Sequence, residues 1–195
     1  MKVVLFDVDG VLIKKRKEFF SERFMREYNA PIEKVREFFK NEFGICQKGK
    51  ADLHEELEKR LPDWGWTKGT DAFMQYWFET DAEVDQELLV AVDEFKGREI
   101  VCYVVGDQEK YRAEYLRNLL GVGKRFDGAF FSYEIGAHKH EPEFFREVLR
   151  RLRGVKPQEI WYFDDGQKNV DAAKVYGIKA HFYSSIDDLY ISQTL

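Results

Sequence analysis

The sequence predicts an α/β fold, with a Rossmann-like, doubly wound parallel sheet as core and an inserted α-helical cap. Five short apolar runs are typical of buried strands, and amphipathic helical stretches separate the later runs. The segment between the first two runs shows helical apolar spacing instead and is too long for a simple crossover. Two of the runs end on paired aspartates, at the sheet edge where ligands bind in such folds.

The predicted strands are rich in β-branched and aromatic residues, which favour the pleated and buried surface of a central sheet. We expect strands at 3–6, 100–105, 128–132, 160–163 and 180–183. Helices are predicted at 110–120, 142–152 and 169–176, where apolar residues recur with helical spacing.

Residues 15–87 are predicted to form the cap, and residues 1–14 and 88–195 the core. Within 15–87 the apolar residues recur at helical intervals, and glycine- and proline-containing loops punctuate them. Trp64, Trp66, Tyr76 and Trp77 are expected to form the cap's own hydrophobic core. The alternative is a set of additional helices packed on one face of the sheet.

Composition excludes several classes of protein. With 195 residues, of which 44% are hydrophobic, the chain can form one core and a modest second lobe. A net charge of -5, with cations mostly scattered, predicts no nucleic-acid or membrane partner. The one basic run, 14–17, is interpreted as the solvated start of a polar helix; if it points at the site instead, it could attract an anionic substrate. Two cysteines, Cys46 and Cys102, are too few for a disulfide framework, and we expect a cytoplasmic protein.

The acidic strand ends carry most of the functional information. Asp7 and Asp9 follow the first run, and Asp164 and Asp165 follow the fourth. Carboxylates at the ends of buried strands must be desolvated, which is costly unless a cation or hydrogen bonds compensate. Because the ends of parallel strands meet at one edge, these oxygens would form a cage suited to Mg²⁺.

Three motifs in order resemble the haloacid dehalogenase superfamily, in the group whose helical cap follows the first strand. The motifs are Asp-Val-Asp-Gly-Val-Leu at 7–12, Lys139 ahead of Glu-Pro-Glu-Phe at 141–144, and Phe-Asp-Asp at 163–165 with Asn169. An Asp-x-Asp alone is weak evidence, but three motifs in order across nearly the whole chain are strong evidence together.

The resemblance implies a role for each of these residues. Asp7 would attack phosphorus and form an aspartyl-phosphate, while Asp9 would protonate the leaving group and then activate water. Lys139 would supply positive charge to the aspartate and the phosphoryl group. Mg²⁺ would be held by the carboxylate of Asp7, the backbone carbonyl of Asp9 and the side chain of Asp165, with Asp164 as a direct or indirect ligand.

Two motifs depart from the family pattern. Relatives typically place Thr-Asn-Gln after the second core strand, where the hydroxyl binds a phosphoryl oxygen, but this chain has Gly106, Asp107 and Gln108. Losing that hydroxyl is expected to cost about 1–3 kcal/mol of phosphoryl binding, although backbone N–H groups and water remain available as donors. His140 replaces the proline that usually follows the lysine. His138 and His140 are expected to face solvent; the alternative is that they serve an anionic substrate or a second proton transfer.

We therefore expect a Mg²⁺-dependent phosphatase of a small phosphorylated metabolite, with residues 46–50 of the cap as candidates for substrate recognition. A phosphomutase that uses the same intermediate remains an alternative, and so does a binding protein that has lost turnover through Gly106. Dehalogenation is disfavoured because haloacid dehalogenases generally lack an aspartate at the position of Asp9. The sequence leaves the oligomeric state open.

Overall fold

The computed structural model describes residues 1–15 and 17–191, and its core is one parallel five-stranded sheet. The strand order is β3-β2-β1-β4-β5. The strands are β1 Val3–Asp7, β2 Val101–Gly106, β3 Gly128–Phe131, β4 Ile160–Asp164 and β5 Lys179–Phe182. The predicted fold class is confirmed. Each observed strand begins and ends within one residue of its predicted bounds.

Five helices follow β1, and six more belong to the remainder of the described chain. The first five are α1 Phe20–Tyr28, α2 Ile32–Lys40, α3 Glu42–Gln47, α4 Leu53–Glu58 and α5 Thr70–Thr80. The others are α6 Gln86–Gly97, α7 Lys110–Leu120, α8 Ser132–Ile135, α9 Pro142–Arg151, α10 Gln167–Val175 and α11 Asp187–Ile191. Short 3₁₀ segments lie at Pro62–Trp64 and Pro157–Glu159.

Helices cover both faces of the sheet, so every residue of β1 is buried. Val4 and Phe6 belong to a hydrophobic cluster with α6 and α7, while Val3 and Leu5 belong to a second cluster with α9 and α10. This alternation explains why the strands are nearly continuous apolar runs, because side chains on both faces are removed from water.

The five helices after β1 have a hydrophobic cluster of their own. Its largest members are aromatic, and Trp64, Trp66 and Trp77 are buried in it while Tyr76 packs at its margin. The four residues therefore pack together within this helical unit, as expected, and Trp77 also lines the cavity described below. Helix α6 begins at Gln86, just before the predicted return to the core at residue 88, and its buried residues join the sheet cluster.

Strand register brings the acidic strand ends together. Phe6 pairs with Phe163, so Asp7 and Asp164 end two adjacent strands at the centre of the sheet. The helices of α1–α5 lie beyond this edge, and residues of both units line the cavity described below. Among the described helices, none is long and apolar enough to cross a membrane.

Candidate active site

A tight turn after β1 positions the first acidic pair. Gly10 has φ +87°, which a residue with a side chain rarely adopts, and the N–H of Ile13 donates to the carbonyl of Val8 to close the turn. A Cβ on Gly10 would lie 2.3 Å from Oδ2 of Asp165. Glycine at this position therefore lets the turn approach the end of β4 without a clash.

Lys139 bridges the two central strand ends. Its Nζ lies 2.5 Å from Oδ1 of Asp7 and 2.7 Å from Oδ2 of Asp164, and all three side chains are almost completely buried. Removing one partner from a buried ionic group of this kind leaves an uncompensated charge, which is strongly destabilising. The triad therefore stabilises the fold, and it also places a positive charge beside the carboxylate of Asp7.

The pKa values of the three groups shift in different directions. Burial raises the pKa of Asp7 well above its usual value, with the charge of Asp164 adding to it and Lys139 opposing it. For Asp164 burial also acts upward, but Lys139 and the hydrogen bonds to its carboxylate hold the pKa below its usual value. Burial alone would lower the pKa of Lys139, yet the two carboxylates raise it overall. Lys139 therefore serves both carboxylates as counter-ion, and the raised pKa of Asp7 indicates that its ionised form is favoured by additional positive charge.

The carboxylate of Asp164 is fully engaged by the protein. Its Oδ1 accepts from the N–H of Gly166 at 2.7 Å and from the amide of Asn169 at 3.0 Å, and its Oδ2 accepts from Lys139 and the hydroxyl of Tyr162. These bonds use its lone pairs, so Asp164 is suited to orienting its neighbours more than to direct metal ligation.

Tyr162 was not identified from the sequence as a site residue. Its side chain is buried, and burial together with Asp164 raises its pKa, which keeps the hydroxyl protonated as a donor. The strand alternation carries the signal, because residues two apart in β4 lie on the same face of the sheet. A polar tyrosine two positions before a buried aspartate could have been recognised on that basis.

Asp7, Asp164 and Asp165 each offer a carboxylate oxygen, and these oxygens lie within 4.8 Å of one another. Unlike the other two, Asp165 is partly exposed, and its Oδ2 lies 3.4 Å from the ammonium of Lys15. Lys14, Lys15 and Lys17 lie in the loop before α1, so the interpretation of this run as a helix start was wrong. Arg16 lies outside the described residues.

Asp9 occupies a different position from the three metal-capable carboxylates. Its Oδ2 accepts a 2.6 Å hydrogen bond from Nε2 of Gln108, whose side chain is buried. Both residues line a cavity of about 280 Å³ between the sheet edge and the cap. Asp9 is therefore held where it can meet a small molecule that enters the cavity.

The altered residues after β2 adopt distinct roles. A Cβ on Gly106 would lie 3.1 Å from Cγ2 of Val8 and 3.2 Å from Cγ of Gln108, so the site is tight even for a small side chain. The carboxylate of Asp107 accepts from the backbone N–H of Lys139 at 2.9 Å. Through Oδ1, Asp107 therefore holds the backbone of the loop that carries Lys139, which we call the lysine loop.

The cavity has aromatic walls and polar groups at its ends. The walls include Phe19, Phe20, Phe39, Phe43 and Trp77, and the polar lining residues are Asp9, Ser21, Gln47, Asp81, Asp107, Gln108 and Arg112. Arg112 is itself buried and donates to the backbone carbonyls of Phe78 and Asp81. Such a mixture suits a small polar molecule that also offers an apolar face.

Residues 44–52 of the cap contact the core directly, and we call these contacts the seam. Nε2 of Gln47 donates to the carbonyl of Asp107 at 2.7 Å, and the hydroxyl of Ser132 donates to the carbonyl of Gln47 at 2.6 Å. Of the predicted recognition segment 46–50, only Gln47 lines the cavity described above, whereas Cys46 is buried and Lys48 pairs with Glu141 at 3.3 Å.

His138 also belongs to the seam. Its Nε2 lies 3.1 Å from the carbonyl oxygen of Gly44, and the residue is half-buried. The expectation that both histidines face solvent was therefore wrong for His138, because the cap lies against its ring. His140 is exposed, as expected.

Comparison with known proteins places the chain among similar sequences and folds. The sequence model of the haloacid dehalogenase-like hydrolases matches residues 1–177. A phosphorylated carbohydrates phosphatase of Thermotoga maritima is 27% identical over 190 residues, which cover 92% of this chain and 83% of the relative.

Two solved structures with a similar fold belong to enzymes with different names. A haloacid dehalogenase (HAD) family enzyme from Bacteroides thetaiotaomicron, in complex with magnesium and inorganic phosphate, is 21% identical with a TM-score of 0.81, covering 100% of this chain and 99% of its own. A 2-haloacid dehalogenase from Pseudomonas syringae is 19% identical with a TM-score of 0.67, covering 94% and 86%. Because both enzymes share the fold, the choice between their chemistries depends on the site residues.

Proposed function

The chain belongs to the haloacid dehalogenase-like hydrolase family, and from that premise we propose that it is a Mg²⁺-dependent phosphatase of a small phosphorylated metabolite. One observation carries the proposal. Asp9 lies at the cavity with its carboxylate held by Gln108, while Asp7 lies beside it with Lys139 bonded to one oxygen. The chain thus offers both a nucleophile and a separate acid–base group, which phosphoryl transfer through an aspartyl-phosphate needs.

Asp7 would be the nucleophile. Its Oδ1 accepts hydrogen bonds from Lys139 and the N–H of Val8, whereas its Oδ2 accepts none from the protein within the described residues. Oδ2 would therefore attack phosphorus. Lys139 fixes the orientation of the carboxylate and lowers the repulsion between two anions.

Asp9 would carry a proton to the leaving oxygen and then remove one from the water that hydrolyses the aspartyl-phosphate. The bond from Gln108 limits the rotation of its side chain. Gly106 offers no hydroxyl to the phosphoryl group, so backbone N–H groups of the turn after β2 and ordered water would complete the oxyanion contacts.

The residues present fit Mg²⁺. Asp7 and Asp165, together with the backbone carbonyl of Asp9, are the proposed ligands, and Asp164 would orient Lys139 beside them. The donors are hard oxygens, and Gly10 leaves the space next to Asp165 free of a Cβ. Burial raises the pKa of Asp7, and a cation beside it would favour its ionised form. When bound, the ion supplies charge neutralisation and Lewis-acid polarisation at the phosphoryl oxygens.

A panel of phosphate monoesters, including sugar phosphates because of the Thermotoga relative, tests the proposal. We expect phosphate release with Mg²⁺, none with EDTA, and a loss of roughly 10³-fold or more in Asp7→Asn. Recovery of the phosphoryl group in a sugar isomer would indicate a mutase instead. If release never exceeds the Asp7→Asn background on any substrate, the phosphatase proposal fails and a binding function takes its place.

A further inference from the structure

Asp107 and His140, which both depart from the family pattern, lie close together in the structure. With His138 they form a cluster in which one ring nitrogen or carboxylate oxygen from each residue lies within 4.8 Å of the others. None of the three is a reacting group in the proposed phosphatase. The cluster therefore needs an explanation of its own.

The donor atoms of the cluster are already oriented by hydrogen bonds. The carbonyl of Gly44 can only accept, so Nε2 of His138, 3.1 Å away, carries the hydrogen and Nδ1 keeps its lone pair. A histidine that donates one ring N–H to a backbone carbonyl is the usual arrangement for a metal ligand. The carboxylate of Asp107 is held in the same way by the N–H of Lys139 at 2.9 Å.

Nearby charges are compatible with a cation. The ammonium of Lys139 is directed to Asp7 and Asp164, which neutralise it. Glu141 accepts from the N–H of His138 at 2.8 Å through Oε2 and pairs with the ammonium of Lys48 at 3.3 Å through Oε1, so the nearest further cation is also neutralised. His140 is exposed, and its ring centroid lies 5.6 Å from that of His138. Because His140 is exposed, an ion can reach the cluster from solvent.

We propose that Asp107, His138 and His140 form a second metal site for a divalent transition ion of the zinc class. Two imidazoles and a carboxylate suit such ions, whereas Mg²⁺ prefers oxygen ligands alone. A water would occupy the fourth position. The ion would join the turn after β2 to the lysine loop and, through His138 and Gly44, hold the cap against the core.

Cobalt titration tests the site, because Co²⁺ in a four-coordinate site of nitrogen and oxygen ligands absorbs visible light much more strongly than the hydrated ion does. The full chain is titrated with Co²⁺ in excess Mg²⁺ and without substrate, and Zn²⁺ competition and the melting temperature Tm are measured in parallel. We expect a band that Zn²⁺ removes, and a rise in Tm with Zn²⁺.

Three variants localise the ion. His140→Ala should weaken Co²⁺ binding by at least about 10-fold and abolish the Tm rise, and its fold should be intact because the residue is exposed. His54→Ala, which removes a histidine near Asp71 in the cap, is the matched control and should bind as the wild type does. Asp165→Asn should also keep the band, because it alters only a proposed ligand of the Mg²⁺ site.

The proposal is overturned if the wild type gives no band, if His140→Ala binds as tightly as His54→Ala, or if Asp165→Asn loses the band. Since no substrate is present, each of these outcomes leaves the phosphatase proposal standing.

Discussion

The sheet edge and the seam hold the site in different ways. At the sheet edge, Lys139, Asp7 and Asp164 form short ionic contacts between almost fully buried groups. At the seam, Gln47 and His138 meet backbone carbonyls through single hydrogen bonds between partly buried groups. Buried charges are expensive to leave unpaired, whereas single neutral hydrogen bonds contribute about 1 kcal/mol each. The difference indicates that the residues at the sheet edge, Asp7, Asp9, Lys139, Asp164 and Asp165, which we call the floor of the site, are held by stronger interactions than those that join the cap to the core.

Lys139→Met should have the largest effect, because it removes the cation that Asp7 and Asp164 share. Two buried carboxylates would lose their cation, so we expect the free energy of unfolding in EDTA to fall by about 3–5 kcal/mol and activity with Mg²⁺ to fall about 100-fold. Chemical denaturation and steady-state kinetics measure the two effects. Lys168→Met, on the exposed side of α10, is the control. Equal stability of the two variants would contradict the description of the floor as a buried ionic triad.

Glu109 lines a cavity together with Cys46 and Asp52 of the cap, so the pH dependence of stability tests the core side of the seam. The residue is buried at the start of α7, and burial raises its pKa to about 7, although the backbone N–H groups of Tyr111 and Arg112 oppose this. The folded state therefore binds the proton more tightly than the unfolded state, and stability should fall as pH rises from about 4.5 to about 7. The loss should be about 3 kcal/mol over that window.

Glu109→Gln should remove most of this pH dependence, because a neutral amide can still accept from the helix N–H groups. Denaturation curves at several pH values measure it, with Glu114→Gln, exposed on the same helix, as control. An unchanged pH profile in Glu109→Gln would show that the buried carboxyl is not the origin of the slope.

Gln47→Ala tests whether the cap side of the seam contributes mainly to substrate binding. The change removes the bond to the carbonyl of Asp107 and one polar lining group of the cavity. We expect KM to rise about 5–10-fold with little change in kcat, in line with the loss of a single hydrogen bond. A large fall in kcat at unchanged KM would place Gln47 in the chemical step and weaken the contrast between the two regions.

Gly106→Ser should have the smallest effect. A serine could restore a phosphoryl contact, but its Cβ would crowd Gln108, which holds Asp9. We expect kcat/KM to stay level or to fall by a few-fold, about 1 kcal/mol in the transition state. A large gain in kcat/KM would mean that a serine fits beside Val8 and Gln108, and that the missing hydroxyl limits the activity of the wild type.

The sequence predicted the floor better than the seam, for a physical reason. Asp7, Asp9, Asp164 and Asp165 stand at strand ends, and the topology of a parallel sheet brings strand ends together whatever the loops do. The engagement of Asp164 by Tyr162 was missed, although the alternation of side chains along β4 places residues two apart on one face. The seam contacts, such as His138 with Gly44, join residues far apart in the chain and depend on how the cap docks. No local pattern in the sequence encodes that docking.

The central claim is that Asp7 attacks phosphorus, and trapping the intermediate tests it most directly. The enzyme is mixed with Mg²⁺ and its best substrate from the panel, quenched in acid within one turnover, and analysed by peptide mass spectrometry. We predict a phosphoryl group on the peptide that carries Asp7, absent from Asp7→Asn. Full turnover without a phosphorylated peptide at any quench time, or a phosphoryl group on another residue, would contradict the account.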